Sequence, residues 1–156
     1  MEKLFTKDDS DEKLKYEFFD VTADVGFKAY GETLDTAFGN AAIAMFEVIT
    51  DTSAVEHRII KKIKLEAEDE CSTLYEWLSE LLFLHDTENL VFSKFNVKIY
   101  QKLRKEKKMF YLEALAFGEK FNLEVHEKRS EVKAVTYHMM EVNLDDNCDL
   151  QVILDI

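Results

Sequence analysis

The sequence predicts an α+β fold: a single domain of mostly antiparallel sheet with two main helices. Three observations predict it. Two stretches repeat their apolar residues with a helical period, several others alternate with period two, and few of the strands are separated by a helix. The length agrees, because 156 residues make one domain with a sizeable core, burying roughly 68–70% of the unfolded surface at this size. An apolar content of 47% marks a globular chain. No internal repeat, low-complexity linker or shift of composition marks a second domain.

Taken in order, residues 1–14 are charged and aperiodic and read as a flexible acidic tail, ahead of a folded unit over 15–156. Tyr16 to Tyr30 is apolar-rich and β-prone, with Gly31 ending it. From Thr33 to Asp51 the residues Leu34, Ala37, Phe38, Ala41, Ala42, Met45, Val48 and Ile49 form one helical stripe, with Thr33 as N-cap and Asp35 in the first turn. Ile63, Leu65 and Ala67 alternate with charged neighbours as a half-wet strand. Ser72 or Asp69 opens the second helix, where Leu74, Trp77, Leu78, Leu81 and Leu82 share a stripe and Glu76, Glu80 and Asp86 look outward. Residues 94–117 read as a long hairpin whose tip holds the charged KLRKEKK. Val132 to Val142 and Leu150 to Ile156 supply two more strands, joined by the turn-forming NLDDNCD.

Composition excludes several classes. No apolar run approaches the ~20 residues that span a bilayer, and the acidic opening MEKLFTKDDSDEKLK lacks the apolar core of a signal peptide. Cys71 and Cys148 form no CxxC pair and suit a reducing compartment, so a cytoplasmic location without membrane attachment is expected. With 32 acids against 20 bases, a net charge of −12 is poorly suited to neutralising phosphates over the whole surface. No stable direct nucleic-acid binding is expected; a basic protein surface or a cation is the more natural counterpart. The basic cluster Lys102, Arg104, Lys105, Lys107 and Lys108 reads as a solvated hairpin tip, with contact to RNA as the alternative.

No catalytic signature is present. GxGxxG, GxxxxGK[ST], GxSxG, HExxH and the EF-hand loop are all absent. His57, His85, His126 and His138 are scattered without the spacing of a zinc pair, and neither cysteine has a neighbour that would activate it. Oxygen remains, the donor that hard divalent cations take. In DVTADVG, Asp20 and Asp24 lie four apart; along one regular strand that is roughly 13 Å at ~3.3 Å per residue, too far to share an ion. Either the strand bends here or only one of the two is a ligand, and the alternative is two solvated aspartates beside a turn. In the final LQVILDI, Leu150, Val152 and Leu154 are expected inward, with Asp155 opposite beside Gln151 and Ile153. Asp155, the carboxylate of Ile156 and an acid from the Asp24 region would make a modest anionic pocket; the alternative is that Ile156 plugs the sheet and its carboxylate is solvated.

These residues resemble those of the archease family, accessory factors of the tRNA-splicing RNA ligase that joins 2′,3′-cyclic phosphate ends. The resemblance rests on YEFFDVTADVGFKAYGETLDTAF, on EVKAVTYH and on the final ILDI, and spans Tyr16 to Ile156. It implies a small cytosolic α+β protein that is not itself catalytic. Such a protein helps the ligase reach its guanylylated state with GTP and a divalent metal, and so supports repeated turnover. It implies a divalent cation, calcium or manganese, held by Asp24, Asp155 and Ile156, the last through backbone or terminal oxygens, with Asp20 in a supporting or turn role. The lysine that acts in ligase activation falls on Lys133, which by alternation would share a face with Val135 and Tyr137. The chain departs from the family pattern at Val21, where many members have histidine, which implies a weaker or differently shaped site. Two other classes stand beside this reading: a metal-dependent phosphate-ester hydrolase and a chaperone-like binding module.

Overall fold

The first aromatic stretch folds back on itself. In the computed structural model, which describes residues 14–156, β1 (Tyr16–Val21) and β2 (Asp24–Gly31) form a hairpin closed by Thr22 and Ala23. Ala23 takes the left-handed conformation at φ 65°. The expected tail over residues 1–14 lies, Leu14 apart, outside the described residues. The remaining elements are α1 (Leu34–Ile49), a 3-10 turn (Thr52–Ala54), β3 (Ile59–Ala67), α2 (Glu70–Glu88), β4 (Leu90–Arg104), β5 (Lys107–Lys120), β6 (Ala134–Asn143) and β7 (Cys148–Asp155).

Every strand pair is antiparallel. One sheet has the order β1-β2-β7-β6 and the other β3-β5-β4. The two helices lie between them: α1 touches β2 and β7 of the first sheet and β4 of the second, while α2 touches β6 of the first and β3, β4 and β5 of the second. The α+β expectation, with antiparallel sheets and two helices, therefore holds.

That sandwiched position decides what each helix buries. Thr33 caps α1, its hydroxyl accepting the Thr36 N–H at 3.2 Å. Asp35 reaches across to accept the Ile99 N–H of β4 at 3.0 Å, fixing the helix start to the second sheet. The predicted stripe is buried except for Leu34 and Val48, but Ala44 and Phe46, outside it, are buried too. A helix covered on both sides by sheets needs more than one apolar face, and four buried alanines let the layers approach. For α2 the N-cap is Asp69, which accepts the Ser72 N–H at 2.7 Å, so Ser72 lies inside the first turn. The Trp77 indole N–H donates to the Phe38 carbonyl at 3.0 Å and joins the two helices.

The long hairpin runs further than predicted, from Leu90 to Lys120. Its two-residue tip, Lys105–Glu106, has positive φ at both positions (52° and 67°), the turn whose twist matches the strands. Gly118 sits at the irregularity between Phe92 and Lys94, where a Cβ would meet the Val91 carbonyl oxygen at 1.9 Å. In β6 the register slips between Thr136 and Glu141, with Met139 at φ 55°. Lys133 lies just outside β6 and is exposed, Val135 is buried and Tyr137 is exposed, so the three do not share one wet face. The Tyr137 ring stacks on Tyr75 of α2 at 4.2 Å.

Candidate acidic row at the end of the first sheet

Register in the first sheet decides which predicted residues meet. Val21 pairs with Asp24, Asp24 with Asp155, and Asp155 with Ala134. Residues directly opposite share a face, so these four form one row across β1, β2, β7 and β6 on the side away from the helices. Side chains so placed have Cβ atoms about 4.5–5.5 Å apart. Asp24 is half-buried and Asp155 exposed, and neither carboxylate has a cationic partner among the described residues.

The hairpin answers the spacing problem of DVTADVG. Asp20 pairs with Val25, so it lies on the face opposite to Asp24, exposed on the edge strand β1. The two acids of the motif do not meet; the acid that meets Asp24 comes from the other end of the sequence.

Lys133 joins the group through its backbone. Its N–H donates to the Asp155 carbonyl at 2.7 Å, pinning the entry to β6 beside the end of β7. Ile156 follows Asp155 in the chain, is half-buried and packs against the core. Val21 puts an apolar side chain directly across from Asp24. Sequence reasoning missed Ala134 as the fourth member of the row, because only the β6–β7 register reveals it.

The next row on the same face lies directly beside these acids. It contains Phe19, Gly26, Ile153 and Thr136. A Cβ on Gly26 would lie 2.4 Å from the Phe19 ring, so only glycine lets the ring lie across the sheet. Ile153 is on the outer face with Asp155 and Gln151, as predicted, yet it is only 1% exposed. The acidic row therefore borders an apolar ledge. Thr136 hydroxyl donates to the Ile153 carbonyl at 2.9 Å and ties β6 down beside it.

His138 is exposed, whereas the other three histidines and both cysteines are occupied structurally. His126 is buried, accepting the Asn122 N–H through Nδ1 at 2.9 Å and meeting Glu119 through Nε2 at 2.9 Å. His85 bonds the Leu90 carbonyl at 2.8 Å and His57 the Ser93 hydroxyl at 3.0 Å. Burial first, then the acids Asp69, Glu70 and Glu141, push the Cys71 thiol up; burial, Asp149 and Asp35 do the same to Cys148. Both thiols are held protonated and unreactive. Among the described residues no three His, Cys, Asp or Glu side chains form a cluster able to hold a metal by themselves. Two depressions, one of about 320 Å³ between α1 and β4 and one of about 390 Å³ on the second sheet, are not lined by Asp24, Asp155 or Lys133.

Fold and site define a class: a small two-sheet α+β domain with its helices between the sheets and an acidic pair where its second and last strands run side by side. The chain belongs to the archease family. The sequence profile of the Archease protein family matches residues 16–156. The chain is 53% identical over 142 residues to Protein archease of Methanothermobacter thermautotrophicus, covering 90% of this chain and 98% of the relative. It is 46% identical over 133 residues to Protein archease of Sulfurisphaera tokodaii, covering 85% and 91%. The solution structure of Methanobacterium thermoautotrophicum protein 1598 has the same fold, with a TM-score of 0.75 at 47% identity, covering 91% of this chain and 99% of that one.

Proposed function

We propose that this protein is a cytoplasmic accessory protein of the tRNA-splicing RNA ligase. It promotes the ligase's metal- and GTP-dependent guanylylation, and hence multiple turnover in tRNA splicing or RNA repair, without being an enzyme itself. Membership of the archease family supports the reading. The single observation that favours a cation role for this chain is the facing of Asp24 and Asp155, neither paired with a basic side chain among the described residues. No helix among the described residues is long and apolar enough to cross a membrane.

The donor chemistry fits a hard divalent cation such as calcium or manganese. Two carboxylates on one face supply charge, and the main-chain oxygens of Ile156 supply further ligands. Because two side chains do not complete a coordination shell, water or groups of the ligase fill it. A bound cation would lower the cost of gathering GTP phosphates beside the ligase's histidine. Asp24 and Asp155 orient that site, and Lys133, held by its backbone to Asp155, presents its ammonium at the same end of the sheet to a phosphate or a ligase carboxylate. The acidic surface speeds docking on a basic ligase surface.

The experiment is ligase guanylylation and multiple-turnover ligation with and without this protein, using Lys133→Ala and Asp24→Ala. Each variant is expected to lose most of the stimulation while remaining folded. Full stimulation by both would remove the proposed site.

A further inference from the structure

Averaged over the whole chain, the charge is strongly negative, but the fold does not spread its bases evenly. On the second sheet, side chains alternate between a face packed on the helices and a face toward solvent. The solvent face reads, across β3, β5 and β4, as the rows Ile60–Phe117–Lys94, Lys62–Leu115–Asn96, Lys64–Glu113–Lys98 and Glu66–Tyr111–Tyr100, followed by Met109–Lys102. Lys62, Lys64, Lys94, Lys98 and Lys102 are all exposed, and none forms an ion pair with a carboxylate among the described residues. Of the face's acids, Glu66 is held by Arg104 at 2.5 Å, and Glu113 accepts the Tyr100 hydroxyl at 2.7 Å.

Aromatic rings are interleaved with these lysines. Tyr100 and Tyr111 stack on each other, ring centroids 5.5 Å apart and planes 15° from parallel. Lys94 lies over Phe117 at 5.1 Å, Lys98 over Tyr100 and Lys102 over Tyr111, each at 5.8 Å. A depression of about 390 Å³ lined by Lys62, Asn96, Lys98, Glu113 and Leu115 sits at the middle of the face.

We propose that this outer face of the β3-β5-β4 sheet is a binding platform for single-stranded nucleic acid. Flat sheet faces that bind single strands combine a cationic track for the backbone with rings on which successive bases stack. Both halves are present here in register. The lysine stems now lying over the rings are flexible; swinging aside, each exposes a ring to a base and turns its ammonium toward a phosphate. Charge complementarity alone would also admit an acidic protein segment. The rings decide between the two, because stacking rewards a base and gives a carboxylate nothing. Glu113, between Lys64 and Lys98, weakens the central field but offers an acceptor to a base amino group. The platform lies on the sheet that does not contain Asp24, Asp155 or Lys133, so it stands or falls apart from the cation reading.

The test is fluorescence anisotropy of the full chain with labelled single-stranded RNA and the same sequence as DNA, at rising salt, with polyglutamate as competitor. Expected is single-strand binding whose log–log salt slope is about −3, the value for roughly four phosphate contacts. Lys62→Glu with Lys98→Glu abolishes it, and the milder Lys62→Gln with Lys98→Gln flattens the slope by about 1.4. Tyr111→Ala weakens binding roughly 5- to 150-fold at unchanged slope, the loss of one stacked base, while Tyr111→Phe retains it. Asp24→Ala leaves it intact. RNA favoured over DNA would add contacts to the 2′-hydroxyl, and equal binding would leave stacking and charge alone. No binding at low salt overturns the proposal. So does binding that polyglutamate matches and the Tyr111→Ala variant keeps, which would make the face a dock for an acidic protein.

Discussion

Replacing Asp155 with asparagine should have opposite effects with and without a divalent cation. Asp24 and Asp155 are directly opposite in neighbouring strands. With side chains about 5 Å apart, two unit charges repel by about 0.8 kcal/mol at the dielectric of water and about 3 kcal/mol at an effective value of 20. Asp155 is exposed, so solvent screening puts the pair near the lower figure, in keeping with the ~0.2–1 kcal/mol range for cross-strand charge pairs. In chelator, Asp155→Asn removes that repulsion and should raise the melting temperature by about 1–4 °C for a domain of this size. With calcium at a hundred times its dissociation constant, the wild-type protein gains about 2.7 kcal/mol, or about 5–10 °C. Asp155→Asn forfeits most of that gain. The stability order of the two proteins therefore inverts between chelator and calcium, which thermal melts followed by circular dichroism would read directly. A variant that is less stable than wild type in chelator, yet shifts equally on adding calcium, would refute both the facing of the two charges and their service as ligands.

Other expectations concern the scaffold. Gly118→Ala forces a Cβ against a backbone oxygen at 1.9 Å and should cost about 3 kcal/mol or more in urea unfolding; Gly39→Ala, with nothing nearer than 3.8 Å in α1, should instead stabilise by about 0.5–1 kcal/mol. Asp69→Ala removes the α2 cap and should cost about 1 kcal/mol, while Asp69→Asn keeps most of it. Burial alone would raise the Glu119 carboxyl, but the Glu56 N–H, His126 and Arg58 outweigh it and hold it below its ordinary range. Since the folded value lies below the unfolded one, Glu119 contributes stability above about pH 4.3 that is lost as pH falls through the folded value. Urea unfolding from pH 7 to pH 3 should therefore show a steeper acid-side loss in wild type than in Glu119→Gln.

Much of the fold was legible because local chemistry and global position agreed. Thr33 and Asp69 have capping side chains where the periodicity changes, and the strands of the long hairpin alternate cleanly because one face is wet. What escaped the sequence was relational. A stripe with one helical face omits Ala44 and Phe46, because two sheets cover α1. The turn at Thr22–Ala23 has neither the Asn-Gly nor the Asp-Gly signal of tight hairpins, so one β-prone run concealed two strands. The face of Asp20 depended on that turn: along one strand it shares a side with Asp24, and across the hairpin it does not. Alternation puts Lys133 inside a strand that starts one residue later, at Ala134. The pairing of Asp24 with Asp155 is a contact over most of the chain, and periodicity has no access to such a register.

Charge shows the same limit most sharply. A net charge is a sum over the surface, and binding responds to the local field. Alternation along β3, β4 and β5 sends apolar residues to the helices and lysines to solvent, so the pleat itself sorts charge by face. The first sheet, at its outer end, gathers two carboxylates without a cation, while the second gathers lysines without enough carboxylates to pair them. Neither grouping is favourable for folding, since like charges repel within each. Under the two proposals made above, each would become favourable when an ion of opposite sign arrives, a cation at one sheet and a polyanion at the other. A chain selected for stability alone would have interleaved the two sets along its strands. Their separation onto different sheets is the feature that the two proposed ligands would account for.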